Sequence, residues 1–409
     1  MLPDLATLRV NTGVTRAFQW SFAIFTLTVL IGLANASKIF GVLSRDTILT
    51  HVHSGTLGFI TMAAFGLALW VFGGGASATS QRNVMISALA TAAYILAFWS
   101  GNLPARAAFG AIELAVIVGW WWWIYTQVRA AGFSRLDIPR LSVFLAFTVL
   151  VVGSSLGVAM QVILATGTVV PTGIDVIGGH AVAQVSGYLV LMSVGIGEWR
   201  LRADRGARSR SGLTQTYLLF GGGLSAAVGV LLGIVPLLLV VNLFYVIAAA
   251  IFVVRSRTGV MRAAWGAAGG GRHFAIAVPF LVLNVALLTY LISKFAAAQG
   301  DPSAIPLGLI VGYDHTTFVG VLANVIFGSA LTVSAADRRW PWADHAIFWL
   351  LNVGVLAFVG VLVIAGYESD LVRFTAPIMG IGALLGIATL SMRLSSTAAA
   401  TPAAAPMRA

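Results

Sequence analysis

The chain has six histidines, and four of them fall at matching points of three evenly spaced apolar segments. The segment 51-HVHSGTLGFITMAAFGLALW-70 places Gly58, Phe59, Gly66 and Trp70 at offsets 7, 8, 15 and 19 from His51. In 180-HAVAQVSGYLVLMSVGIGEW-199, Gly187, Tyr188, Gly195 and Trp199 stand at the same offsets from His180. A third copy, 313-YDHTTFVGVLANVIFGSAL-331, aligns Gly320 and Gly328 with Gly58 and Gly66, so that His315 matches His53 and Tyr313 matches His51. Neutral imidazole is a ligand for iron, copper and zinc. Imidazoles gathered from separate segments are a means by which a membrane protein holds a metal or a haem.

Positions i and i+2 of an α-helix differ by about 200°, so His51 and His53 face opposite sides and cannot serve one ion. A single histidine at a membrane boundary is as often a solvated interfacial residue as a ligand. Four in one repeat frame favour ligation, because polar groups within a bilayer are costly and tend to be functional. His273 and His345 fall at helix ends beside Arg272 and Asp344, where interfacial solvation accounts for them. The glycine pairs read first as helix-packing positions; room for a flat macrocycle is the other reading.

The elements that must position these residues are membrane spans. Hydrophobic residues make up 59% of the chain and charged residues 9%, a balance that excludes a soluble domain. Apolar runs predict twelve spans: about 17–37, 51–74, 83–102, 109–129, 141–166, 177–199, 215–234, 237–256, 274–297, 306–333, 343–366 and 372–393. The stretch 215–256 is divided at 233-GIVP-236, where Gly and Pro favour a turn. The first span ends in 34-ANA-36, which resembles a signal-peptidase site but is read as part of a retained helix.

With the N-terminus inside, inner loops and tails carry 19 of the 24 Lys and Arg, and outer loops carry only Lys38, Arg45, Arg106, Lys294 and Arg373. This predicts cytoplasmic termini, a multi-pass location in the bacterial plasma membrane and histidines in the outer half of the bilayer. The net charge of +11 therefore reports topology, with the lipid bilayer as partner and no nucleic acid. The absence of cysteine excludes disulfides, Cys-ligated zinc, iron–sulfur clusters and covalently attached haem. Residues 1–394 form one all-α membrane domain, with repeat units of about 17–129, 141–256 and 274–393 and a disordered tail over 395–409. Motif helices at the second, sixth and tenth spans make three parallel units of four.

This organisation resembles subunit I of the haem–copper oxidases and nitric oxide reductases: twelve helices in three arcs, with histidines on helices two, six and ten. The HxHxxxxGF string at 51–59 is also similar to the short twelve-span haem proteins of the nitric oxide response. The resemblance covers the whole chain in organisation and about twenty residues of each motif helix. It implies one haem b between His51 and His315, and a second haem or a copper ion between His53 and His180. It places Val182 and Tyr313 at the third pore, with Tyr313 where the family's high-spin haem ligand stands. Arg373, Arg106 and Arg45 are the outer arginines available to haem propionates, and Arg373 precedes span twelve as an arginine does in the family. Asp314 is a candidate to orient an imidazole; Glu113 is a candidate cap or proton carrier.

The sequence departs from the family at helix seven, which lacks the two copper-binding histidines, and in lacking a deep lysine or an inner-half carboxylate in spans one to four. The resemblance thus implies a b-type haem protein for electron transfer or nitric oxide response, without the oxygen-reducing centre or proton pump. A catalytic oxidoreductase with one five-coordinate haem, reducing O2 or NO, and a haem-free secondary transporter are the alternatives. Quinol and cytochrome both remain open as redox partners.

Overall fold

The computed structural model describes residues 2–400; it is all-helical, with no strand among the described residues. Eleven of its helices are long and apolar enough to cross a bilayer, so the chain is a multi-pass membrane protein. In chain order the bundle consists of α1 (Thr12–Ser37), α2 (Arg45–Val71), α3 (Ala78–Trp99), α4 (Leu103–Ala131), α5 (Ile138–Thr166), α6 (Val176–Leu201), α7 (Arg210–Leu231), α8 (Val235–Met261), α9 (Gly271–Ala297), α10 (Leu307–Val333), α11 (Pro341–Ile364) and α12 (Val372–Ala400). The seventh of the twelve expected spans, at about 215–234, falls on α7. It has 22 residues, but Thr214, Gln215, Thr216 and the glycines 221–223 leave it outside those eleven. α12 continues to Ala400, so the tail expected to be disordered from Ser395 begins as helix; residues 401–409 lie outside the described part.

Local chemistry sets the helix starts. Asn11, Ser44, Ser77, Asn102, Asp137, Asp175 and Ser209 each accept a hydrogen bond from a backbone N–H in the first turn of the helix they precede. Pro104, Pro139, Pro236 and Pro341 occupy first-turn positions, where a missing N–H costs nothing. The expected break before α8 is made by Gly233, at φ 64°, with Pro236 three residues later.

The three motif helices α2, α6 and α10 lie inside, and α1 packs on α12 to close the surrounding helices. The repeat frame has a packing meaning. Methyl groups at Gly58, Gly187 and Gly320 would overlap Ile24, Val149 and Phe280, each on the helix just before its motif helix. Gly66, Gly195 and Gly328 approach the first turns of the same helices, α1, α5 and α9, at Val14–Ala17, Pro139–Ser142 and Gly270–His273. Small residues allow such approach where lipid gives helices no hydrophobic reason to associate. At offset 19, Trp70, Trp199 and Thr332 converge on Arg200, which lies over both indoles and donates to the Thr332 hydroxyl at 3.4 Å.

Each motif helix also contains a π-helical stretch that sequence periodicity did not reveal: Ser54–Thr61, Ala183–Leu189 and Thr316–Ala323. These begin one residue after His53, Val182 and His315, the same frame position in all three copies. Widened turns leave backbone carbonyls to be satisfied, and polar side chains do so. Thr61 Oγ1 donates to the Thr56 carbonyl at 2.9 Å, and Asn324 Nδ2 donates to the Gly320 carbonyl at 2.9 Å.

Candidate functional site

All four motif histidines line one cavity of about 1510 Å³, above the roughly 300–1000 Å³ of an ordinary small-molecule pocket. Their rings are held in two ways that match the repeat frame. At the first position, His51 Nδ1 lies 2.8 Å from the Thr28 carbonyl of α1, and His180 Nδ1 lies 2.7 Å from the Gly153 carbonyl of α5. At the second position, His53 and His315 turn Nδ1 to the carbonyls of Leu49 and Val311, one turn back in their own helices, at 2.8 Å each. A carbonyl can only accept, so every Nδ1 carries the proton. Each Nε2 is left with a free lone pair and no hydrogen-bond partner among the described residues. This is the arrangement of a ligating histidine oriented through its other nitrogen.

Glycines make room for the first pair of rings. A Cβ at Gly32 would stand 2.9 Å from the His51 ring, and one at Gly157 would stand 2.8 Å from the His180 ring. Gly32 and Gly157 each lie one turn beyond the carbonyl that holds the ring. The second-position rings rest on aromatics instead: His53 stacks on Phe98 at 3.8 Å, and His315 meets Phe358 edge-on at 4.9 Å. Across the cavity His51 and His315 lie within electrostatic range of each other, as do His53 and His180. Among the described residues no group of three or more His, Cys, Asp or Glu side chains is placed to hold a metal ion.

The other candidate residues separate. Tyr313 lines the cavity, but its hydroxyl is engaged with the Ser186 hydroxyl at 2.8 Å. Arg373 does not line the cavity: it is half exposed and paired with Asp370 at 2.5 Å, so the propionate role expected from its position is not supported by its placement. Arg45 lines the cavity from the exposed start of α2. Arg106 also lines it, yet is 3% exposed and engaged by Asp46 at 2.5 Å and the Phe98 carbonyl at 2.8 Å. It lies over Phe98, the ring on which His53 stacks.

Asp314 lines the cavity, but it does not orient His315, whose Nδ1 goes to Val311. Glu113 lines the cavity and is 2% exposed. His273 is not solvated, as its helix-end position suggested: it is fully buried, with Nδ1 on Asn324 Oδ1 at 2.8 Å. His345 is half-buried against Arg272 at 3.1 Å. Sequence reasoning missed Gly32, Gly157, Phe98 and Phe358, because they lie on helices without the motif. Comparison with known proteins finds no family model that matches the chain and no curated protein significantly similar to it.

Proposed function

We propose that this chain is a haem-binding protein of the bacterial plasma membrane, built as three pseudo-symmetric units of four spans, with α7 as the twelfth span and both termini cytoplasmic. One haem b is held between His51 and His315, and a second redox centre, haem or copper, between His53 and His180. The observation that carries this reading is the common tautomer. Four imidazoles on three helices are each fixed through Nδ1 by a backbone carbonyl, and all line one cavity with Nε2 unpartnered.

The residues fit such a group on several counts. His315 interacts electrostatically with His51 and His53 with His180 across helices, and Gly32 and Gly157 leave room for the His51 and His180 rings. The mouth offers Arg45, while Arg106 is already committed to Asp46. A bound haem would supply one-electron chemistry, and an iron held by two of these histidines would favour electron transfer over gas activation. The resemblance to haem–copper oxidase subunit I and to nitric-oxide-response haem proteins supports the same role, with quinol or cytochrome as redox partner.

Absorption spectra of the detergent-purified chain test this. Low-spin bands on reduction, unchanged by carbon monoxide, are expected. A carbon monoxide shift would move the assignment to a catalytic oxidoreductase with an open haem. No Soret band after supplementation with haemin would leave a haem-free transporter as the better reading.

A further inference from the structure

We propose that Glu113 is the proton-exchanging group of the histidine cavity, taking up a proton when the centre at His53 and His180 is reduced and releasing it on oxidation. The inference rests on the redox centre proposed above. Glu113 lies in α4, 2% exposed and lining the cavity. Its Oε1 accepts a hydrogen bond from Thr91 at 3.0 Å, while Oε2 is buried without any partner. A carboxyl so placed is stable when neutral and becomes charged only if a positive charge arrives in the same low-dielectric space. An oxidised metal held by His53 and His180 would supply such a charge.

The surroundings leave Glu113 no fixed cation. On its own helix Arg106 is the nearest, and that guanidinium is bound to Asp46 and to the carbonyls of Ala97 and Phe98. On α3 the facing groups are Thr91 and Tyr94, the latter in electrostatic contact with both Glu113 and Arg106. The only titratable residue of α5 is Arg140, at the opposite end of the bundle. Tyr94 also stands edge-on to His53 at 6.0 Å, so it links the carboxyl to the ligand pair. His180 and Asp175 come from α6 and the loop before it, and the cavity continues past Gln161, whose Oε1 is likewise buried and unpartnered. Glu113, Gln161, His180 and Asp175 line the same cavity.

The step balances in charge. One electron from a one-electron donor enters the centre, one proton from water joins Oε2, and the net charge of the cavity is unchanged. Linkage then requires the midpoint potential to depend on pH wherever the carboxyl changes state with the metal.

The test is a mediator-based redox titration of the purified full chain between about pH 6 and 9, read by haem absorption or the Cu(II) EPR signal. In the wild type, the transition abolished by H53A should fall by up to about 59 mV per pH unit. In E113Q it should become independent of pH, and E113D should restore the slope. If E113Q fails to accumulate, a hydrophobic carbodiimide serves on the wild type: Glu113 should be modified faster in reduced than in oxidised protein. Equal slopes in wild type and E113Q, or equal modification of both redox states, overturn the proposal. Protein that binds neither haem nor copper overturns the parent reading as well, whereas a bound centre with a pH-independent potential overturns this inference alone.

Discussion

At the scale of the residue, the site depends on how four imidazoles are held. A ring fixed through Nδ1 by a carbonyl keeps its orientation only while its other face has room. Gly32 provides that room for His51, and Gly157 provides it for His180. Gly32→Val should displace the first ring and remove most of the haem at His51/His315, leaving the second centre intact; Gly157→Val should do the reverse. Haem quantification and optical spectra of the two variants check this, and equal losses in both would contradict two separate ligand pairs. In the same way His315→Ala and His53→Ala should each abolish a different spectral component. The four histidines were legible from spacing alone. Their packing partners were not, because nothing in the sequence marks out, among the chain's 45 glycines, the two that stand against the His51 and His180 rings.

At the scale of the element, the π-helical stretches set the angle between the ligands and the lower half of each motif helix. Such stretches are rare and cluster at functional sites. Deleting Thr56 should restore ordinary helix in α2 and rotate the histidine-bearing segment by about 100° relative to the remainder of the helix. The expected result is loss of bound haem with helical content retained, read by absorption and circular dichroism.

The joint between α6 and α8 is closed by a buried ion pair. Glu198 is fully buried and bound by Arg255 through two hydrogen bonds, at 2.7 and 2.8 Å, with Arg202 nearby at 3.4 Å. Removing one partner of such a pair leaves a buried charge. Glu198→Ala should therefore destabilise the protein by about 3–5 kcal/mol, measurable as a lower unfolding midpoint in detergent. Helix positions were legible because apolar length and capping residues are local signals. The π-helical stretches were not, since the hydroxyls and amides that satisfy their carbonyls are ordinary polar residues until the helix is built.

At the scale of the molecule, the basic residues divide between the two ends of the bundle, and the histidine cavity lies at the end that carries few of them. The chain has no cysteine, so single cysteines can report this directly. Val42→Cys, fully exposed beside the start of α2, should react with a membrane-impermeant maleimide in intact cells. Ala207→Cys, exposed in the loop before α7, should react only after permeabilisation. The opposite pattern would invert the proposed orientation.

The sequence by itself determined the all-helical membrane character, the approximate place of each helix and the frame that singles out four histidines. Each of these comes from composition or from spacing along one segment. Only the tertiary structure decided which nitrogen each imidazole leaves free, that Arg373 stays outside the cavity, that His273 is buried, and that Glu113 keeps one oxygen unpartnered. Those outcomes depend on groups from helices far apart in the chain, and backbone carbonyls carry no residue-specific mark that a sequence could display.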